Sequence, residues 1–238
     1  MPAGIRAVTG LLIGLDGDPA SRDLTDLALA AVRRAPRGSP GALAELAEVA
    51  AWIAFEEERQ PEAHALNRLA LDLARAAGDR DLEVLVLLNG SMQRAHVGRL
   101  AEALRCAELG ASLTRSPRVR GVFALRRARA YSRMGLPRAA LEALAESEVA
   151  LADDPSAPPW AWWVDEEELA AHRGAVLANL GRLAEAAEVF PVSRGPRFRE
   201  VVGAMRYRTL LALGEWSGAP PVFTSPRARR TAQRSSRG

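Results

Sequence analysis

Three histidines and one cysteine are the residues best suited to metal or nucleophilic chemistry, and their spacing assembles no site. His64, His96 and His172 stand 32 and 76 residues apart, without the close pairing that a zinc centre requires. Cys106 is the only cysteine, so neither an internal disulfide nor a cysteine-based zinc cluster can form. It lies ten residues beyond His96 on an alanine-rich helical surface that offers no oxyanion device, which argues against a Cys–His nucleophile. All 32 basic side chains are arginine, and the absence of lysine removes P-loop, Schiff-base and kinase chemistry. Asp16-Gly17-Asp18 lacks the later Gly and Glu of a calcium loop. These residues predict no enzyme, no metal and no cofactor.

Recognition groups are more abundant. Eight arginines and no acid lie between Arg115 and Arg138, and nine acids and no base between Leu141 and Ala170. The first block could track phosphates, but its equal and opposite neighbour favours mutual satisfaction and solvated faces. No interleaved aromatics support base stacking. Trp160, Trp162 and Trp163 follow Pro158-Pro159, where proline suits a first helical turn. Trp160 and Trp163 share a face suited to packing, and the acids Asp165 to Glu168 suit that helix's positive end.

The elements that must position these groups recur. His96-Val97-Gly98-Arg99-Leu100-Ala101-Glu102-Ala103-Leu104 shares a pattern with 133–141 and 179–187: a Gly closing one helix, a short turn, and an Ala five residues on. Glycine supplies the backbone freedom of a helix C-cap, and alanine lets the partner helix approach. Seven residues before each Gly stand Ser91, Ala128 and Gly174; twelve after it stand Gly110, Ser147 and Ser193. The frame extends to Glu58, with Ala63 and Ala70, and to Gly214, with Ala219. Steps of 40, 37, 46 and 33 residues scatter around and above a period of about 34. Dominant Ala and Leu predict helices, and no alternating strand pattern of useful length appears. Residues 1–40 are expected to form a helical cap, 41–219 an array of four hairpins plus one terminal helix, and 220–238 a disordered tail holding five arginines. Without that tail the remaining charge is −2, against +3 for the whole chain, so the pI near 9.9 does not mark a basic body. The apolar stretch 7–15 is too short to span a membrane, and no secretory cleavage site is evident. A cytoplasmic location with no membrane partner is expected.

The repeat signature resembles a tetratricopeptide array, which implies an all-α, right-handed solenoid of helical hairpins. Ala50-Ala51-Trp52, Leu71-Asp72-Leu73-Ala74-Arg75-Ala76-Ala77-Gly78-Asp79, Asn89-Gly90-Ser91-Met92-Gln93 and Pro159-Trp160-Ala161-Trp162-Trp163-Val164-Asp165-Glu166 are similar to the sensor half of actinobacterial XRE-type helix-turn-helix transcriptional regulators. Only about 40 residues precede the array, and none forms a recognisable recognition-helix pair, so no specific DNA binding by this chain alone is expected. The Pro220-Pro221 break and the Arg-rich ending fit a truncated or frameshifted regulator; a stand-alone interaction scaffold without a transcriptional role is the alternative.

In such hairpins the first helix lines the concave face. Counting back from the turns, the resemblance places Trp52, Phe55 and Glu56 there, then Met92, Ala95 and His96, then Arg129, Ser132 and Arg133. Ala175, Ala178 and Asn179 follow, and finally Arg208. It implies a peptide or protein ligand, with arginine taking carboxylates bidentately and asparagine the peptide backbone, and it admits a homodimer. The Lys/Asn set of chaperone-binding arrays is absent.

Overall fold

The computed structural model describes residues 2–18, 21, 23–191 and 196–214. Within them the chain is all-helical. Its α-helices are α1 (Pro2–Gly17), α2 (Leu24–Arg34), α3 (Pro40–Glu56), α4 (Gln60–Ala77), α5 (Arg80–His96), α6 (Leu100–Leu113), α7 (Pro117–Arg133), α8 (Pro137–Ser147), α9 (Glu166–Asn179), α10 (Leu183–Val189) and α11 (Pro196–Ala212). The expected tail at 220–238, the end of the expected array at 215–219 and Ser193 lie outside the described residues.

The turns repeat one backbone device. Glu58, Gly98, Gly135, Gly181 and Gly214 all adopt left-handed φ, between +60° and +84°. At Gly98 the Arg99 amide donates to the Arg94 carbonyl and the Gly98 amide to that of Ala95. Such paired reversed bonds satisfy carbonyls that a helix end would otherwise orphan, and the same pair recurs at Glu58, Gly135 and Gly181. The following residue, Arg59, Arg99, Leu136 or Arg182, accepts the first amide bond of the next helix from Ala63, Ala103, Ala140 or Ala186. These four alanines are buried. Their small size sets the closeness of each crossing, and at one of them Ser91 Oγ donates to the Ala103 carbonyl at 2.9 Å.

Helices adjacent in sequence pack together: α3 on α4, α5 on α6, α7 on α8 and α9 on α10. In addition α3 meets α5, α5 meets α7, α7 meets α9 and α9 meets α11. The odd-numbered helices from α3 onward therefore lie side by side. Phe123 is fully buried beneath α6, where a Cβ added to Gly110 would stand 2.1 Å from its ring. Gly174 has the same relation to Phe190, at 2.8 Å.

The longest step, from Gly135 to Gly181, holds two 3-10 turns, Glu148–Leu151 and Pro159–Trp163. The tryptophans thus do not begin the helix that carries Glu168, as their spacing suggested. Their short turn stops at Val164, and α9 begins separately, capped by the Asp165 carboxylate accepting from the Glu168 amide. Trp160 and Trp163 pack against the central core, while Trp162 is 82% exposed. Asp154 fastens this insertion to the start of α7. It accepts from Ser116 Oγ at 2.5 Å and from the Arg118 amide at 3.1 Å, and from the Ser156 amide and hydroxyl.

At the other end α1 and α2 pack on α3. The Glu57 carboxylate, just past α3, accepts from the Leu24 and Thr25 amides and the Thr25 hydroxyl. A carboxylate on free amides at a helix start is favourable both as a hydrogen-bond partner and against the helix dipole.

Candidate functional site

A chain of side-chain contacts crosses successive odd-numbered helices and defines the face they share. Asn89 Nδ2 on α5 donates to Glu48 Oε1 on α3 at 2.7 Å. Two turns further along, the Phe55 and His96 rings meet edge to face with centroids 5.2 Å apart, and Trp52 lies 6.0 Å from Phe55. His96 Nε2 also sits 3.0 Å from the Glu58 carboxylate. Arg133 on α7 donates to the Ala95 carbonyl of α5, and Asn179 on α9 donates to Ser132 Oγ on α7 at 3.0 Å. Trp52, Phe55 and His96 are thereby gathered at one end, and Arg133 and Asn179 each bridge to a neighbouring helix. Met92 is partly buried on α5, and Arg208 is exposed on α11.

The arginine block divides by helical face. Arg127 pairs with Glu146, Arg138 with Glu142 at 2.8 Å, and Arg118 donates to the Val164 carbonyl at 2.9 Å. The first two are pairings with the acidic block of the kind the sequence favoured, whereas Arg118 is held by a backbone carbonyl. Arg126, Arg129 and Arg133 recur every third or fourth residue, hence on one side of α7, and are differently placed. Glu168 is the acid whose charge acts on both Arg126 and Arg129, alongside the like charges of Arg133 and Arg208 on Arg129. Burial, reinforced by those like charges, pushes Arg129 down to about 10, so it remains cationic at neutral pH.

His172 completes this cluster. Its Nε2 lies 2.9 Å from Glu168 Oε1 and 3.1 Å from Arg126 Nη1. Burial holds His172 below its ordinary value despite Glu168. For Glu168, burial favours the neutral acid, but the His172 hydrogen bond and the charges of Arg126 and Arg129 outweigh it and leave the carboxyl below its usual range. A neutral ring nitrogen cannot both donate to Glu168 and accept from Arg126. With the carboxylate as the stronger partner, Nε2 carries the proton and Arg126 Nη1 has no true acceptor there. Arg126 Nε and His172 Nδ1 are also buried without a partner.

Glu48, Asn89, Arg126, Glu168 and His172 were missed because the count back from each turn stopped six residues short of it. Continued one or two turns, to offsets of nine, ten and thirteen, the same count reaches all five.

Elsewhere, a cavity of about 230 Å³ is lined by Arg75, Gly78, Arg80 and Glu83; both arginines are engaged by Glu83 at 2.8 Å. Burial pushes the Cys106 thiol up, which keeps it protonated and poorly nucleophilic at neutral pH. Among the described residues no three His, Cys, Asp or Glu side chains converge as metal ligands, and no helix is long and apolar enough to cross a membrane. Compared with protein-family models, curated proteins and solved structures, the chain gives no match.

Proposed function

We propose that this chain is a non-catalytic binding module: a tetratricopeptide-like, right-handed solenoid whose odd-numbered helices form a concave face for a peptide or protein segment. What supports this reading most is the uneven occupation of that face. Glu48, Trp52, Phe55 and His96 lie toward one end, and Arg126, Arg129, Arg133 and Asn179 toward the other. A segment laid across α3 to α9 would place apolar side chains against the Trp52–Phe55 pair and acidic ones against the arginines, with Asn179 holding its backbone. Because each hairpin contacts mainly its neighbours, a ligand bridging several of them would bias their relative tilt. In a regulator similar to the XRE type, that change would reposition DNA-binding domains within a dimer.

Selection from a displayed random-peptide library tests the reading. The wild-type chain is expected to enrich acidic sequences with an apolar flank, and the Arg129→Glu, Arg133→Glu double variant to lose them while keeping its helical circular dichroism. Equal enrichment by both proteins would remove the arginines from the proposal; no enrichment by the wild type would remove the groove. The isolated chain is also expected to give no sequence-selective DNA mobility shift at physiological salt.

A further inference from the structure

The arginines on α7 have a composition that peptide docking alone does not require. Arg126, Arg129 and Arg133 share one side of α7, and Arg208 on α11 acts on the same point from across α9. Among the described residues Glu168 is the acid whose charge acts on Arg126 and Arg129, and one acid against these four guanidiniums leaves three positive charges over. Arg129, partly buried, donates no side-chain hydrogen bond to any described residue. Arg126 Nε and His172 Nδ1 are buried and unpartnered beside it. Arg133 is held by the Ala95 carbonyl and Arg208 is exposed, but guanidinium groups buried in part, repelled by like charges and short of acceptors, as Arg126 and Arg129 are among the described residues, destabilise a fold by themselves. Such an arrangement is stable in the presence of an anion rich in acceptors.

We infer that Arg126, Arg129, Arg133 and Arg208 form a site for a phosphoryl dianion, the terminal group of a phosphate monoester. Three considerations select this chemistry. A carboxylate or a phosphodiester brings one negative charge and leaves two of the three uncompensated; a monoester leaves one. Its three terminal oxygens can accept from several guanidinium forks at once, which two carboxylate oxygens cannot. A nucleic-acid backbone would need a continuous stripe of free cations, whereas Arg118, Arg127 and Arg138 are engaged at Val164, Glu146 and Glu142, and the exposed Arg115 and Arg120, just before and within the first turn of α7, fall off the side shared by Arg126, Arg129 and Arg133. The excess charge is a point, not a track. The site depends on the groove reading only for what carries the phosphoryl group.

Calorimetric titration of the full chain with inorganic phosphate at low ionic strength, near pH 8 where the dianion dominates, tests the site, with sulfate as a second dianion and chloride as a control. Saturable phosphate binding is expected, accompanied by a rise in Tm. Arg129→Gln and Arg208→Gln should each weaken it at least tenfold, while Arg127→Gln, on the opposite face, should leave it intact. Without phosphate, the Arg129→Gln protein should be as stable as the wild type or more so, because a repelling charge has been removed. A structural arginine would give the reverse: lower Tm and an unchanged phosphate response. That result, or phosphate and chloride acting alike, overturns the site.

A degenerate peptide mixture with one central phosphoserine, run against its unphosphorylated counterpart, separates the carriers. Binding tighter than that of inorganic phosphate assigns a phosphopeptide. Phosphate binding with no gain from the peptide keeps the dianion site, assigns it to a small phosphate ester and removes the peptide groove.

Discussion

Glu48 shows how a single side chain makes the shared face sensitive to pH. Burial raises its carboxyl to about 7, only partly opposed by the Asn89 hydrogen bond. The folded state therefore holds a proton that the unfolded chain releases near pH 4.5. Stability from this group is complete below that value, declines as pH rises through about 7, and is then gone. Glu48→Gln keeps an acceptor for Asn89 without the titration. Urea midpoints at pH 5 and pH 8 should show the wild type losing on the order of 2–3 kcal/mol more than the variant between the two. Glu58 carries a different burden. It adopts φ of +60° where the equivalent turns have glycine, a conformation that costs a side-chain-bearing residue about 1 kcal/mol. Glu58→Gly should stabilise the chain by about 0.5–1 kcal/mol, less the small contribution of its exposed contact with His96.

At the scale of elements, two contacts decide how pieces join. Glu57 is the acceptor for two amides and a hydroxyl at the start of α2. Glu57→Ala should destabilise the chain by about 1–2 kcal/mol, with the loss of hydrogen-exchange protection concentrated in α2 rather than in α5 to α8. Between α6 and α7, Gly110 gives the Phe123 ring its space. Gly110→Ala forces a buried ring off its position and should cost about 1–3 kcal/mol in chemical denaturation, more than the same change gains from helix propensity. The insertion behind α8 is held by Asp154, whose carboxyl is pulled down to about 2, chiefly by the Ser116 and Ser156 hydroxyls. Its hold is complete above the ordinary carboxyl range and is lost as pH falls through about 2.

For the whole molecule, neighbour-by-neighbour packing makes stability local. Gly174→Leu would drive a side chain into Phe190, which a Cβ alone already meets at 2.8 Å. Exchange protection should fall in α9 and α10 and remain unchanged in α3 and α4, which do not pack against them; uniform loss would mean that the chain unfolds as one unit. The sequence by itself determined the helical class and the turns. A left-handed cap, a small residue seven positions before it and an alanine five after it are local requirements, written in residues close along the chain. It determined the aromatic end as well, because Trp52 and Phe55 lie within one helical turn. Whether arginine and acid blocks neutralise one another was a tertiary decision. Composition counts charges along the chain, but ion pairing depends on which side of α7 each guanidinium leaves, and only the packing of α8 and α9 against that helix separates Arg127, paired with Glu146, from Arg129, which forms no ion pair with a described residue and shares the charge of Glu168 with Arg126.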